Sequence, residues 1–223
     1  MSHEVPKVTV WADIQINDVQ LSLPEANALI VRAARGSGLR WGIAEEAGEA
    51  AIWLASRGFD WVEIFLRCFE NNVDRVPQPA PGRWIQNETI CGLHAGVALA
   101  DFASLPEGLR DDRLSLGYIE NPQLLLPFIT RITSQLKCGV EVSLNGNPWA
   151  ILSDEAVISV TDPDVVQGSV DLKKLASISP DQRSPKRLVV APLSTEQKKH
   201  LDLFALMMTV PSSTQSEARA GED

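Results

Sequence analysis

Gly139-Val140-Glu141-Val142-Ser143-Leu144-Asn145-Gly146-Asn147-Pro148-Trp149-Ala150-Ile151-Leu152 is the stretch on which the fold turns. Val140, Val142 and Leu144 alternate with Glu141 and Ser143, a period of two that suits a strand with one face on a core. Asn145-Gly146-Asn147 supplies the turn, since Asn and Gly tolerate the positive φ of a tight hairpin, and the chain returns through Trp149 to Leu152. Further on, Ala156 to Val160 and Arg187 to Val190 also read as strands.

Upstream the apolar period is helical. Ser22 and Glu25 form a capping box with Pro24 in the first turn, Leu23, Ala26, Ile30 and Ala33 follow on one face, and Gly36 and Gly38 stop the helix. A second helix is predicted from Trp41 to Arg57, with Ile43, Ala47, Ala50 and Leu54 inward and Gly58 at its end. Asp60 with Glu63 opens a third, whose face is Trp61, Ile64, Phe65, Cys68 and Phe69. Val8 to Leu23 is expected to hold one or two strands. Val76 to Gly82, rich in proline, is extended; it is the best linker candidate, or else crosses the surface of a single domain. Gly92 to Phe102 fits either a short helix or a buried strand. Asn121-Pro122 starts a helix with Leu125, Phe128, Ile129, Ile132 and Leu136 inward, and Pro127 predicts a kink. Ser194 with Gln197 caps a final helix carrying Leu201, Phe204, Ala205 and Met208.

The expected architecture is therefore α+β: an N-terminal helical cluster, a mainly antiparallel sheet and a C-terminal helix. One domain over 1–223 is expected, divisible into a helical part at 1–76 and an α+β part at 84–211. The small, polar segment 212–223 reads as a flexible tail.

Composition narrows the function. The 223 residues carry 20 basic and 29 acidic side chains, a net charge of −9, with 44% apolar and 22% charged residues. That is the make-up of a packed globular chain, and it argues against neutralising phosphates or anionic lipid as the main task. Lys186-Arg187 and Lys198-Lys199 are too small as clusters to change this, so neither nucleic acid nor membrane is an expected partner. The longest apolar run, Leu124 to Ile129, falls far short of a bilayer span. Residues 1–11 lack a basic segment followed by an apolar core, which together with this predicts a cytoplasmic protein. Cys68, Cys91 and Cys138 are odd in number and widely spaced, so they read as reduced, buried thiols.

Few residues suggest chemistry. Cys91 and His94 are three apart, within reach of one metal ion, and Asp101 offers a further oxygen, but no second pair completes a ligand set. No metal is assigned, and no cofactor is specified. Glu45, Glu46 and Glu49 share a helix; Glu45 and Glu49 face the same way and would serve as an acid/base pair in a cleft, or simply as charges favoured near a helix start. No GxSxG motif occurs, and Gly36-Ser37-Gly38 follows a helix and lacks the phosphate-binding lysine. Of the six tryptophans, Trp41 and Trp61 are expected in core or interhelix packing, and others could anchor a subunit interface.

Arg32-Ala33-Ala34-Arg35-Gly36-Ser37-Gly38-Leu39, then Trp41-Gly42-Ile43-Ala44-Glu45-Glu46-Ala47 and Trp53-Leu54-Ala55 with Arg57-Gly58, resembles a bacterial family of unknown function. A second patch is Thr209-Val210-Pro211-Ser212-Ser213 with Ser216, Arg219 and Gly221, and Leu99-Ala100-Asp101 also fits. The resemblance implies a cytoplasmic bacterial protein of about this length, linked to small-molecule catabolism, and brings no activity. The first two helices also resemble the N-terminal helices of sulfolactate- and malate-type dehydrogenases, whose following His-containing motif has no counterpart here.

The functional expectation is an enzyme for a carboxylate-type metabolite, or a ligand-binding subunit of one, with its site where the second helix meets the C-terminal segment. Arg35, Arg57 and Arg219 would bind the carboxylate and Glu45 or Glu46 would move the proton. The alternative is a non-catalytic accessory or interaction subunit of a metabolic complex, as a homo-oligomer or on a partner subunit.

Overall fold

The computed structural model of the chain describes residues 18–71, 75, 77–85, 88–153, 157–161, 163–176 and 188–208. Residues 8–17 of the expected N-terminal strands, Trp11, Arg187, Arg219 and the expected tail at 212–223 lie outside these. Strand β1 (Asp18–Ser22) leads into α1 (Leu23–Gly36), followed by α2 (Trp41–Ser56) and α3 (Trp61–Glu70). The capping box at Ser22 forms: Ser22 Oγ accepts from the Glu25 N–H at 3.3 Å, and Glu25 Oε2 accepts from the Ser22 N–H at 2.8 Å. Hydrogen bonds from Ser22 hold the Glu25 carboxyl below the usual range. A depressed folded-state value means that this linkage stabilises above the ordinary glutamate range and is lost as pH falls through the folded value.

Small residues set the closeness of α1 and α2. Ala44, Ala47 and Ala51 are fully buried, and a Cβ on Gly48 would press on the side chains of Val31 and Asn27. α3 starts where Asp60 Oδ1 accepts from the Glu63 N–H at 3.2 Å.

The sheet forms the second half: β2 (Ile90–Cys91), α4 (Gly92–Asp101), β3 (Arg113–Glu120), a 3-10 turn (Pro122–Leu125), α5 (Leu126–Leu136), then β4 (Gly139–Leu144), β5 (Asn147–Leu152), β6 (Val157–Val160) and β7 (Gln167–Leu175). Its strand order is β2-β3-β7-β4-β5-β6, antiparallel throughout except for β2 against β3. Asn145 at φ 50 and Gly146 at φ 78 make the hairpin turn between β4 and β5, two positive angles in succession as a type I′ turn requires. Leu114, Leu116, Ile119, Val140, Val142, Val170 and Leu172 share one buried core with Ala95 and Leu99 of α4 and with Ile129 and Ile132 of α5.

Two ambiguities resolve here. Residues 92–101 are helical, and Gly96 lets α4 approach α5 so closely that a Cβ there would enter the Phe128 ring. At Pro127 there is a change of helix type instead of a kink. The 3-10 turn ends at Leu125, and Pro127 occupies the first turn of α5, where its missing N–H removes no helical bond.

The last elements, β8 (Val190–Ser194) and α6 (Thr195–Leu206), return to the helical part. β8 pairs antiparallel with β1, and Ala191, Leu193 and Leu201 are buried in the same core as α1, α2 and α3. The strand thus runs later than the expected 187–190. Trp53 and Phe59 touch both cores. The Ser194–Gln197 capping box is also present, its Oγ accepting from the Gln197 N–H at 3.1 Å. Ser194→Ala is expected to lower the unfolding free energy by about 1 kcal/mol, read as a lower urea midpoint at constant slope. Among the described residues no helix is long and apolar enough to cross a membrane.

Candidate functional site

The residues expected to gather around a substrate occupy separate settings. Arg35, at the end of α1, donates to the Leu39 carbonyl at 2.5 Å and lies 5.6 Å from the centre of the Trp41 ring, while its buried Nε has no hydrogen-bond partner. Trp41 Nε1 donates to Glu45 at 2.9 Å. Trp41 is 57% exposed, so the expected packing role fails for it: as the first residue of α2, it faces Arg35 and meets solvent. Trp61 does pack as expected, 1% exposed with its indole donating to the Pro192 carbonyl at 3.1 Å. Glu46 holds Arg131 of α5 through bonds of 2.9 and 3.3 Å, which raise the guanidinium above its usual range. Glu49 accepts from Asn27 at 3.1 Å. Arg57 stacks 3.9 Å above the Trp53 ring at the far end of α2. A helix of that length puts roughly 24 Å between its ends, so Arg35 and Arg57 do not meet over one small ligand.

A hollow does form elsewhere, from three segments distant in sequence. Residues 77–85 strap the outer edge of β3: Gln78 bridges Ile85, and Arg83 bridges Ser115. The Trp84 N–H donates to the Ser115 carbonyl at 2.9 Å, and the Ser115 N–H donates to the Gly82 carbonyl at 3.0 Å. Trp84 turns inward, 2% exposed, and its indole donates to the Glu107 carbonyl at 2.7 Å. Arg83 and Ile85 on either side remain exposed. Opposite them β3 bulges between Ser115 and Gly117, and Gly117 takes φ 78, a left-handed angle that suits only glycine comfortably. Beyond the bulge Tyr118 pairs with Ser169 of β7. The resulting cleft has a volume of about 520 Å³ and is lined by Arg83, Trp84, Ile85, Gly117, Tyr118 and Ser169.

A third cluster joins the two halves of the molecule. Cys91 is the N-cap of α4, and its Sγ lies 3.2 Å from Cys68 Sγ of α3. Hydrogen bonding from Cys68, helped by His94 and by the Leu93 N–H, holds the Cys91 thiol well below its usual range against the opposing effect of burial. The same bond, reinforced by burial, pushes Cys68 up. His94 is 8% exposed, and its Nδ1 has no hydrogen-bond partner. The Cys91–His94 spacing was visible in the sequence. Cys68, from another helix, was not. Among the described residues no group of three or more His, Cys, Asp or Glu side chains is placed to hold a metal ion.

Much of this chemistry lies in one segment that matches a family model. Residues 21–112 match the family described as Protein of unknown function (DUF3726). The DUF3726 match spans α1 to α4 and so includes Arg35, Glu45, Glu46, Cys68, Arg83, Cys91 and His94; Tyr118 and Ser169 follow it. Among solved structures, malate dehydrogenase from Pyrococcus horikoshii OT3 matches at a TM-score of 0.42, with 11% identity over 88% of this chain and 68% of that one. Among curated proteins there is no match.

Proposed function

We propose that the protein binds a small carboxylate-bearing metabolite in the cleft between the 77–85 strap and the β3–β7 pair. The observation that carries this reading is Arg83, an exposed guanidinium with no ion-pair partner among the described residues, at the rim of a hollow of about 520 Å³. That volume falls in the range of small-molecule sites, roughly 300–1,000 Å³. A guanidinium offers a planar fork of donors to a carboxylate, while the Tyr118 phenol, the Ser169 hydroxyl and the apolar Ile85 suit a short, partly polar body.

The overall charge of −9 does not defeat the proposal. At physiological ionic strength, charges beyond about 8 Å are largely screened, so the local cation decides. Among the described residues no Asp, Glu or His lines the cleft, Glu46 is engaged by Arg131 and Glu45 by Trp41. The arrangement therefore supports binding in preference to acid/base catalysis.

Titration with succinate, malonate and acetate, followed by calorimetry, tests it. At least one should bind saturably, and Arg83→Met should weaken that binding about tenfold or more, the equivalent of one lost charge-assisted contact. Stability should stay within about 0.5 kcal/mol of the parent because the side chain is exposed. Unchanged affinity in Arg83→Met, or no binding by any of the three, overturns the reading.

A further inference from the structure

We propose that Cys68 and Cys91 form a reversible dithiol–disulfide pair that reacts with small hydroperoxides, with Cys91 attacking and Cys68 resolving. The pair is independent of the carboxylate cleft and rests on different atoms. Its geometry is nearly complete: the sulfurs lie 3.2 Å apart, and a disulfide at about 2.05 Å needs a closing motion of only about 1.2 Å. The two thiols come from different elements, α3 and the start of α4, and are 23 residues apart in the chain.

The surroundings assign the two roles. Cys91 sits at the N-terminus of a ten-residue helix, where backbone N–H groups and the dipole favour a thiolate. The buried His94 also acts on Cys91 and favours its charged form. Cys68 is 3% exposed, and its bond to Cys91, then burial, and last the nearby Glu120 all disfavour a negative charge there. One sulfur is thus poised as the nucleophile and the other is kept protonated until needed. As a residue Cys91 is partly exposed whereas Cys68 is buried, although both sulfurs lie inside, so the attacking oxidant must be as small as hydrogen peroxide.

The chemistry balances in two steps. The Cys91 thiolate attacks one peroxide oxygen, the O–O bond breaks, and hydroxide leaves as Cys91 becomes a sulfenic acid. Cys68 sulfur then attacks Cys91 sulfur, the S–O bond breaks, and the Cys68 proton leaves with the hydroxyl as water. Counting the proton first released by Cys91, two thiols and one peroxide give one disulfide and two waters. A dithiol reductant reverses the change. Oxidation would tie α3, in the helical core, to the β2–α4 junction beside the sheet.

Cys138 is the internal control: it is buried, its thiol is raised by desolvation, and among the described residues no second cysteine is paired with it. The reduced full-length chain is treated with stoichiometric hydrogen peroxide at neutral pH and followed by intact mass and peptide mapping. The expected product has lost two hydrogens, keeps one free thiol, links Cys68 to Cys91, and reverts with dithiothreitol. Cys91 should react about tenfold or more faster than Cys138, the contrast expected of a thiolate against a buried thiol. In Cys68→Ser, Cys91 should stop as a sulfenic acid that dimedone traps. Three free thiols after treatment, a bond to Cys138 or between chains, or Cys91 reacting no faster than Cys138 overturns the proposal. The mapping of the unmodified chain decides even where a variant folds poorly.

Discussion

Trp84→Ala is expected to lower the unfolding free energy by about 3–5 kcal/mol, the range for removing a large aromatic from a packed core. Three consequences of one truncation add up. The side chain is 2% exposed and belongs to the core beneath the sheet, so its loss leaves a void. Its indole is the donor to the Glu107 carbonyl at 2.7 Å, which then loses that partner. The strap over β3 also loses its inward anchor, although the Trp84 N–H still reaches Ser115. Trp84→Phe keeps most of the volume and forfeits mainly the hydrogen bond, so it should cost clearly less. Urea unfolding measures both, and equal midpoints for the two variants would contradict this account. Because Arg83 and Ile85 flank this anchor, Trp84→Ala should also weaken carboxylate binding, through positioning and not through direct contact.

Gly36→Ala should destabilise by about 1–3 kcal/mol or more, as overpacking does in a rigid setting. Gly36 ends α1 where the α6 backbone crosses it, and a Cβ there would fall inside the carbonyl group of Phe204. Backbone cannot rotate aside as a side chain does. α6 would have to lift, and with it Leu201, which is fully buried among the helices. Gly42→Ala is the matched control. Nothing lies within 4 Å of a Cβ at Gly42, near the start of α2, so the same substitution should be neutral or stabilise by up to about 1 kcal/mol through helix propensity alone. Opposite signs in thermal unfolding are the expected result; a loss at both sites would show that helix contacts are not the cause.

What could be read in advance was whatever is decided by neighbours in the chain. The capping boxes at Ser22 and Ser194, the Asp60 cap and the Asn145-Gly146 turn are local bonds between residues at most three apart, and all four are present. Two interior strands of the sheet, β3 and β7, escaped notice for physical reasons. In β3 the bulge at Gly117 breaks the alternation of Leu114, Leu116 and Ile119. In β7 the buried Gly168, Val170 and Leu172 alternate with Ser169, Asp171 and Lys173, but Lys174 falls where the next core residue would be, so charges mask the short apolar pattern.

The sites show the same division. Cys91 and His94 are close along one helix and were visible as a pair, whereas Cys68 reaches them only through the packing of α3. Arg83, Tyr118 and Ser169 come from three segments and share no motif. Trp41 misled because a large apolar side chain at a helix start usually packs inward, and here a stacked arginine and a carboxylate partner hold it at the surface.

The pairing of β1 with β8 has a consequence for how the molecule is made. When α1, α2 and α3 leave the ribosome they lack Ala191, Leu193 and Leu201, which the last described elements contribute to their core. Closing such a long loop slows folding more than it affects final stability. Nascent α1, α2 and α3 therefore wait, with apolar surface uncovered, until nearly the whole described chain has been synthesised. That interval is when a chaperone would have most to grip.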